Sequence, residues 1–193
     1  MGGALVAAAC TSTPSATADA GPDGASVNDG STAPPITCED LVRHQEMCGR
    51  LGDAGDARDL LCAWLEKTRL KWRPDFFAAF YGCFINHACS HDDDECLASA
   101  LAIAPDSLVD HAALQRCVQG DDAACSSFLK GAAADCLSRR SVCLNEGTPG
   151  FSDDLCITIP ALNADSLGGV PSCLAQPCDQ VPACLMAIGS FTY

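Results

Sequence analysis

The chain has 193 residues, 15 of them cysteine, and a net charge of −14 from 25 Asp and Glu against 11 Lys and Arg. Such an acid excess argues against a nucleic-acid binder, because neutralising phosphates supplies most of that affinity. No apolar run reaches the roughly 18 residues of a membrane-spanning helix.

Taken in chain order, the first ten residues, MGGALVAAAC, are apolar, rich in small side chains and closed by Cys10. This resembles the end of a bacterial lipoprotein signal peptide, with Ala8 and Ala9 in the small positions before a cysteine that is acylated. Ala7 departs from the usual leucine, and no Lys or Arg precedes Arg43, so the charged leader region is missing. Residues 1–10 are therefore read as a partial lipoprotein signal with Cys10 as the lipidation site. Residues 11–35 are Thr, Ser, Ala, Gly, Pro and Asp with few large apolar side chains. Such a composition predicts a disordered tether spanning on the order of 28 Å.

Residues 36–193 carry the other fourteen cysteines. An even number spread over the whole body indicates a disulfide framework formed outside the reducing cytosol. A chain of about 150 residues buries roughly 70% of its unfolded surface without help, so the staples point to endurance rather than to rescue of a tiny core. β-branched and aromatic residues are sparse, and helical periodicity dominates. Leu41, Gln45, Cys48 and Leu51 share one helical face. Asp56 or Asp59 caps a helix through Leu60, Leu61, Trp64 and Leu65. Pro74 and Asp75 open the next, through Phe76, Phe77, Phe80 and Phe84. Asp92–Glu95 place negative charge at the start of a helix through Cys96 and Leu101. Pro105 and Asp106 predict a helix start leading to Cys117. Asp121 and Asp122 predict another, broken at Gly131, that ends near Cys143. Ser152 caps a helix through Leu155 and Ile159, and Asp179 caps the last, with Leu185 and Ile188 inward. Pro160 and Gly168–Gly169 make 160–172 the weakest helical stretch.

The cysteine intervals repeat. From Cys38 through Cys48, Cys62, Cys83 and Cys89 to Cys96 the gaps are 9, 13, 20, 5 and 6 residues. From Cys136 through Cys143, Cys156, Cys173 and Cys178 to Cys184 they are 6, 12, 16, 4 and 5. The expected fold is all-α, with disulfide-stapled helical hairpins in two degenerate copies of a six-cysteine unit (36–104 and 131–193). Bridging helices at 105–130 hold Cys117 and Cys125, which are free to pair with each other. Spacing alone leaves the connectivity open.

The chemistry-bearing residues gather in two places. His87, Cys89, His91, Asp92, Asp93, Asp94 and Cys96 lie within ten residues and offer N, S and O donors to a metal. The same segment equally makes two half-cystines and a solvated acidic first turn. No Cys-x-x-Cys and no spaced calcium-loop pattern accompanies it. Tyr81-Gly82-Cys83 and Cys89-Ser90-His91-Asp92 are similar to fragments of secreted phospholipase A2, but the glycine-rich calcium loop is absent. Lys67, Arg69, Lys71 and Arg73, with Trp64 and Trp72, form the one basic cluster and a candidate contact surface. The competing reading is cations at a helix C-terminus with tryptophans in the core. His44 and His111 stand alone and are read as surface residues.

Cys10, the Asp-Ala-Gly-Pro-Asp-Gly tether at 19–24 and the cysteine body containing Phe-Ser-Asp-Asp-Leu-Cys at 151–156 together resemble the cysteine-rich lipoproteins of myxobacteria. The resemblance implies a bacterial cell-envelope location, at the outer membrane or cell surface, with the membrane as partner through the lipid. The function expected is non-enzymatic, a binding or structural domain with no cofactor, no catalytic residue assigned and an envelope or extracellular partner not identified by sequence. The alternative is a metal-binding protein or metal-dependent hydrolase centred on His87, His91 and Asp92.

Overall fold

A computed structural model describes residues 35–51, 55–89, 93–147 and 151–189. Cys10, the segment 11–34, His91 and Asp92 lie outside the described residues. Ten α-helices and one 3₁₀ turn follow in order: α1 Cys38–Met47, α2 Gly55–Lys71, α3 Pro74–Asn86, α4 Asp93–Leu101, α5 His111–Val118, α6 Asp122–Cys125, α7 Gly131–Asn145, α8 Asp154–Ile157, the turn Ile159–Ala161, α9 Ala164–Leu174 and α10 Val181–Ile188. Among the described residues there is no strand, only isolated antiparallel bridges at Trp72 with Leu162 and Val109 with Leu129.

Local chemistry explains most helix starts. Thr37 and Asp40 form a reciprocal capping box at α1, satisfying two orphan backbone donors. Pro74 takes the first position of α3, where its missing N–H costs nothing. Asp110 accepts from Ala113 N at α5, and Asp121 accepts from Ala123 N and Ala124 N at α6. Several expected boundaries move. α1 ends at Met47, short of Leu51, α2 begins at Gly55, ahead of Asp56 and Asp59, and α8 has Asp153 rather than Ser152 as its N-cap and ends at Ile157, before Ile159. Residues 105–109 turn rather than coil, because Asp110 holds the cap and helix begins only at His111. The helix from Asp121 stops at Cys125, six residues before Gly131, where the chain extends so that Val109 can bridge Leu129. Asp179 does not cap α10; the N-cap is Gln180, with no side-chain bond, and Pro182 follows in the first turn. The weak stretch is helical from Ala164 despite Pro171, since Asn163 caps it and Gly169 lies against Ile188 of α10.

All fourteen body cysteines pair, with Cα separations of 4.5 to 5.4 Å, inside the range that unstrained bridges occupy. In the first half the pairs are Cys38–Cys62, Cys48–Cys89 and Cys83–Cys96. In the second they are Cys136–Cys156, Cys143–Cys178 and Cys173–Cys184. Both sets join first to third, second to fifth and fourth to sixth, so the repeat seen in the spacings is also a repeat of connectivity. Cys117–Cys125 closes the segment between them.

No disulfide joins the two halves; packing does. One core runs without interruption from Leu41 to Leu185. At its centre Trp72, Phe76, Phe77, Phe80 and Tyr81 stack along the end of α2 and α3, with ring centroids 4.6 Å apart for Phe77–Tyr81 and 5.4 Å for Trp72–Phe76. These are spacings at which aromatic pairs attract. Trp72 also reaches the second half: its indole Nε1 donates to the Gly189 carbonyl at 2.9 Å. Arg73 N donates to Ala161 O at 2.7 Å and Asn163 N to Lys71 O at 2.8 Å. Gly189 has φ +110°, and a Cβ there would meet the Lys71 Cβ at 2.5 Å. Only glycine permits that approach.

Candidate functional site

The basic cluster is largely absorbed by the fold. Arg69 donates to the Ile36 carbonyl, pairs with Glu66 at 3.2 Å and stacks over Phe77 at 5.3 Å. Arg73 donates to the Ile103 carbonyl at 3.2 Å and pairs with Asp75. Lys71 is half-buried, with its stem against Gly189. Trp72 is buried and Trp64 half-buried, which places Trp72 in the core and removes it from any contact surface. Lys67 lies on the exposed side of α2 with Leu60 and Leu70. The same use of arginine recurs elsewhere: Arg50 donates to Cys89 O, Arg139 to Gln176 O and Arg140 to Phe151 O, at 2.8 to 3.0 Å. In an acidic protein with few cations, five arginines hold main-chain carbonyls of the segments between helices.

The His87 segment is arranged by disulfides. Cys83, His87 and Cys96 place their donor atoms within 4.8 Å of one another. Cys83 and His87 are one helical turn apart at the end of α3, and α4 brings Cys96 to them. Cys83 and Cys96 are bonded to each other, so in the oxidised chain neither sulfur is the thiolate that binds zinc or copper. Asp94 is exposed in the first turn of α4, which begins at Asp93. His111 is half-buried, its Nε2 3.1 Å from Asp106.

His44 corrects the sequence reading. It is 4% exposed rather than a surface residue. Its ring lies 5.0 Å from that of Phe84, and its Nε2 is 3.6 Å from the Sγ of Cys48. The signal in the sequence is the i, i+4 spacing of His44 and Cys48, which stacks them on one face of α1. Cys48 bonds to Cys89, and Cys89 is the one half-cystine of the fourteen that is exposed. The Arg50 guanidinium donates to the Cys89 carbonyl at 3.0 Å, placing a cation beside that bridge.

Two carboxyls are tuned by capping. The Thr37 hydroxyl and then the Thr37 backbone N–H hold Asp40 below its ordinary value. The Ala113 backbone N–H, then the Lys130 side chain, do the same for Asp110. Both are structural caps on the surface.

No protein-family model matches the chain, and neither a curated protein nor a solved structure is similar to it. Among the described residues no helix is long and apolar enough to cross a membrane.

Proposed function

We propose that this is a non-enzymatic, lipid-anchored protein of the bacterial envelope or cell surface, whose disulfide-stabilised helical domain has a binding or structural role. The observation that carries the reading is cysteine pairing. Seven bridges account for every cysteine from Cys38 to Cys184. Cys10, the fifteenth cysteine, follows an apolar small-residue run. The bridges favour an oxidising compartment, and the resemblance to myxobacterial lipoproteins points the same way. Acylation with two or more chains gives stable anchoring, whereas one is marginal.

The test is detergent-phase partitioning of the protein isolated from its native cells, with mass spectrometry of the N-terminal peptide. The expected result is a mature chain that begins at an acylated Cys10 and enters the detergent phase. A Cys10→Ser form should stay in the aqueous phase. An unmodified Cys10 peptide from native membranes would remove the anchor from the proposal.

A further inference from the structure

We propose that the Cys48–Cys89 bridge is a thiol-exchange site, at which a small thiol attacks Cys89 and Cys48 leaves. This inference is independent of the lipid anchor. Exposure sets the point of attack: Cys89 is exposed while Cys48 is half-buried, and accessible bridges are the labile ones. The Arg50 guanidinium donates to the Cys89 carbonyl, so a positive charge sits on the residue that is attacked and favours an anionic thiolate there.

The leaving side needs assistance. Cys48 is the C-cap of α1, at the negative end of the helix dipole, which disfavours a thiolate. With its proton on Nε2, 3.6 Å from that sulfur, His44 supplies a hydrogen bond to the charge as it forms, and the Phe84 ring packs against the imidazole. In the first step the incoming thiolate bonds to Cys89 Sγ, the Cys48–Cys89 bond breaks, and its electron pair stays on Cys48, which then takes a proton from solvent. A second thiol attacks the sulfur that the first one brought to Cys89. The products are a Cys89 thiol and the oxidised small-molecule disulfide, so two electrons pass from two thiols to the bridge.

The second half of the molecule provides an internal control. Cys143–Cys178 is the bridge of equivalent connectivity, and both of its cysteines are buried. The residue four before Cys143 is Arg139, whose guanidinium is turned to the Gln176 carbonyl. The same staple therefore appears twice, once sealed and once accessible with an imidazole on its leaving sulfur.

The experiment exposes the native full chain to glutathione, quenches with an alkylating agent at intervals, and maps modified cysteines by mass spectrometry. Cys48 and Cys89 should be modified first, with the glutathione adduct on Cys89 and the alkyl group on Cys48. His44→Leu should slow this opening about tenfold, the loss of one hydrogen bond to a charged group. His44→Gln, which keeps a donor, should recover part of the rate. Another bridge opening first, or all seven opening together, would overturn the site. Glutathione found on Cys48 would overturn the direction of attack, and an unchanged rate in His44→Leu would overturn the role of His44.

Discussion

Replacing Trp72 with phenylalanine tests whether the two halves are held by packing at a single seam. Trp72 is 2% exposed, and its Nε1 supplies the Gly189 carbonyl from across the chain at 2.9 Å. Gly189 is itself buried. Phenylalanine leaves that carbonyl without its donor, at a cost of about 1–3 kcal/mol. The smaller ring leaves a void, which at about 24 cal/mol per Å³ adds on the order of 1 kcal/mol. The contacts with Phe76, Phe80 and Tyr81 are partly retained, so the sum is about 2–4 kcal/mol. Calorimetry with all bridges oxidised should show a lower melting temperature, by about 2–4 °C for each kcal/mol in a chain of this size. Leu60→Ser, at a position 70% exposed, is the control and should stay within about 0.5 kcal/mol. If Trp72→Phe melts with the wild type, the seam does not couple the halves and the core argument fails.

Three further outcomes follow from individual contacts. Removing Cys117–Cys125 by paired serine substitution opens a loop of sequence separation 8; chain entropy sets the loss at about 2.5 kcal/mol, read by denaturant titration, with the other six bridges intact by non-reducing peptide mapping. Gly131→Ala should cost more than about 1 kcal/mol, because φ is +51° and the new Cβ would sit 2.9 Å from the Ser107 carbonyl oxygen; equal stability would contradict the backbone geometry there. Asp110 is held below its ordinary value of 3.8 in the folded chain, so its contribution is complete above that value and fades as pH falls through the folded pKa. Asp110→Asn should accordingly show a shallower loss of stability with acid than the wild type; parallel acid limbs in thermal melts would exclude the capping role.

Sequence and tertiary structure divided the work along a physical line. Helical class, the bridging pair Cys117–Cys125 and the starts at Pro74 and Asp121 follow from short-range rules: side-chain periodicity, hydrogen bonds spanning two or three residues, and cysteine parity. The helix start expected at Pro105 falls instead at His111, because the Asp110 side chain accepts from Ala113 N and caps the helix there. Spacing showed two sets of six cysteines but not that each joins first to third, second to fifth and fourth to sixth, since pairing depends on which helices meet. The fate of Arg69 and Arg73 was equally hidden: the carbonyls they hold, on Ile36 and Ile103, lie 33 and 30 residues away. His44 reads as solvated because only its i, i+4 spacing to Cys48 hints at the bridge, and nothing near it in the chain announces Phe84 or Cys89. Local propensity is written into neighbouring residues, whereas burial and partnership depend on chain segments brought together from afar, and only the folded core makes that choice.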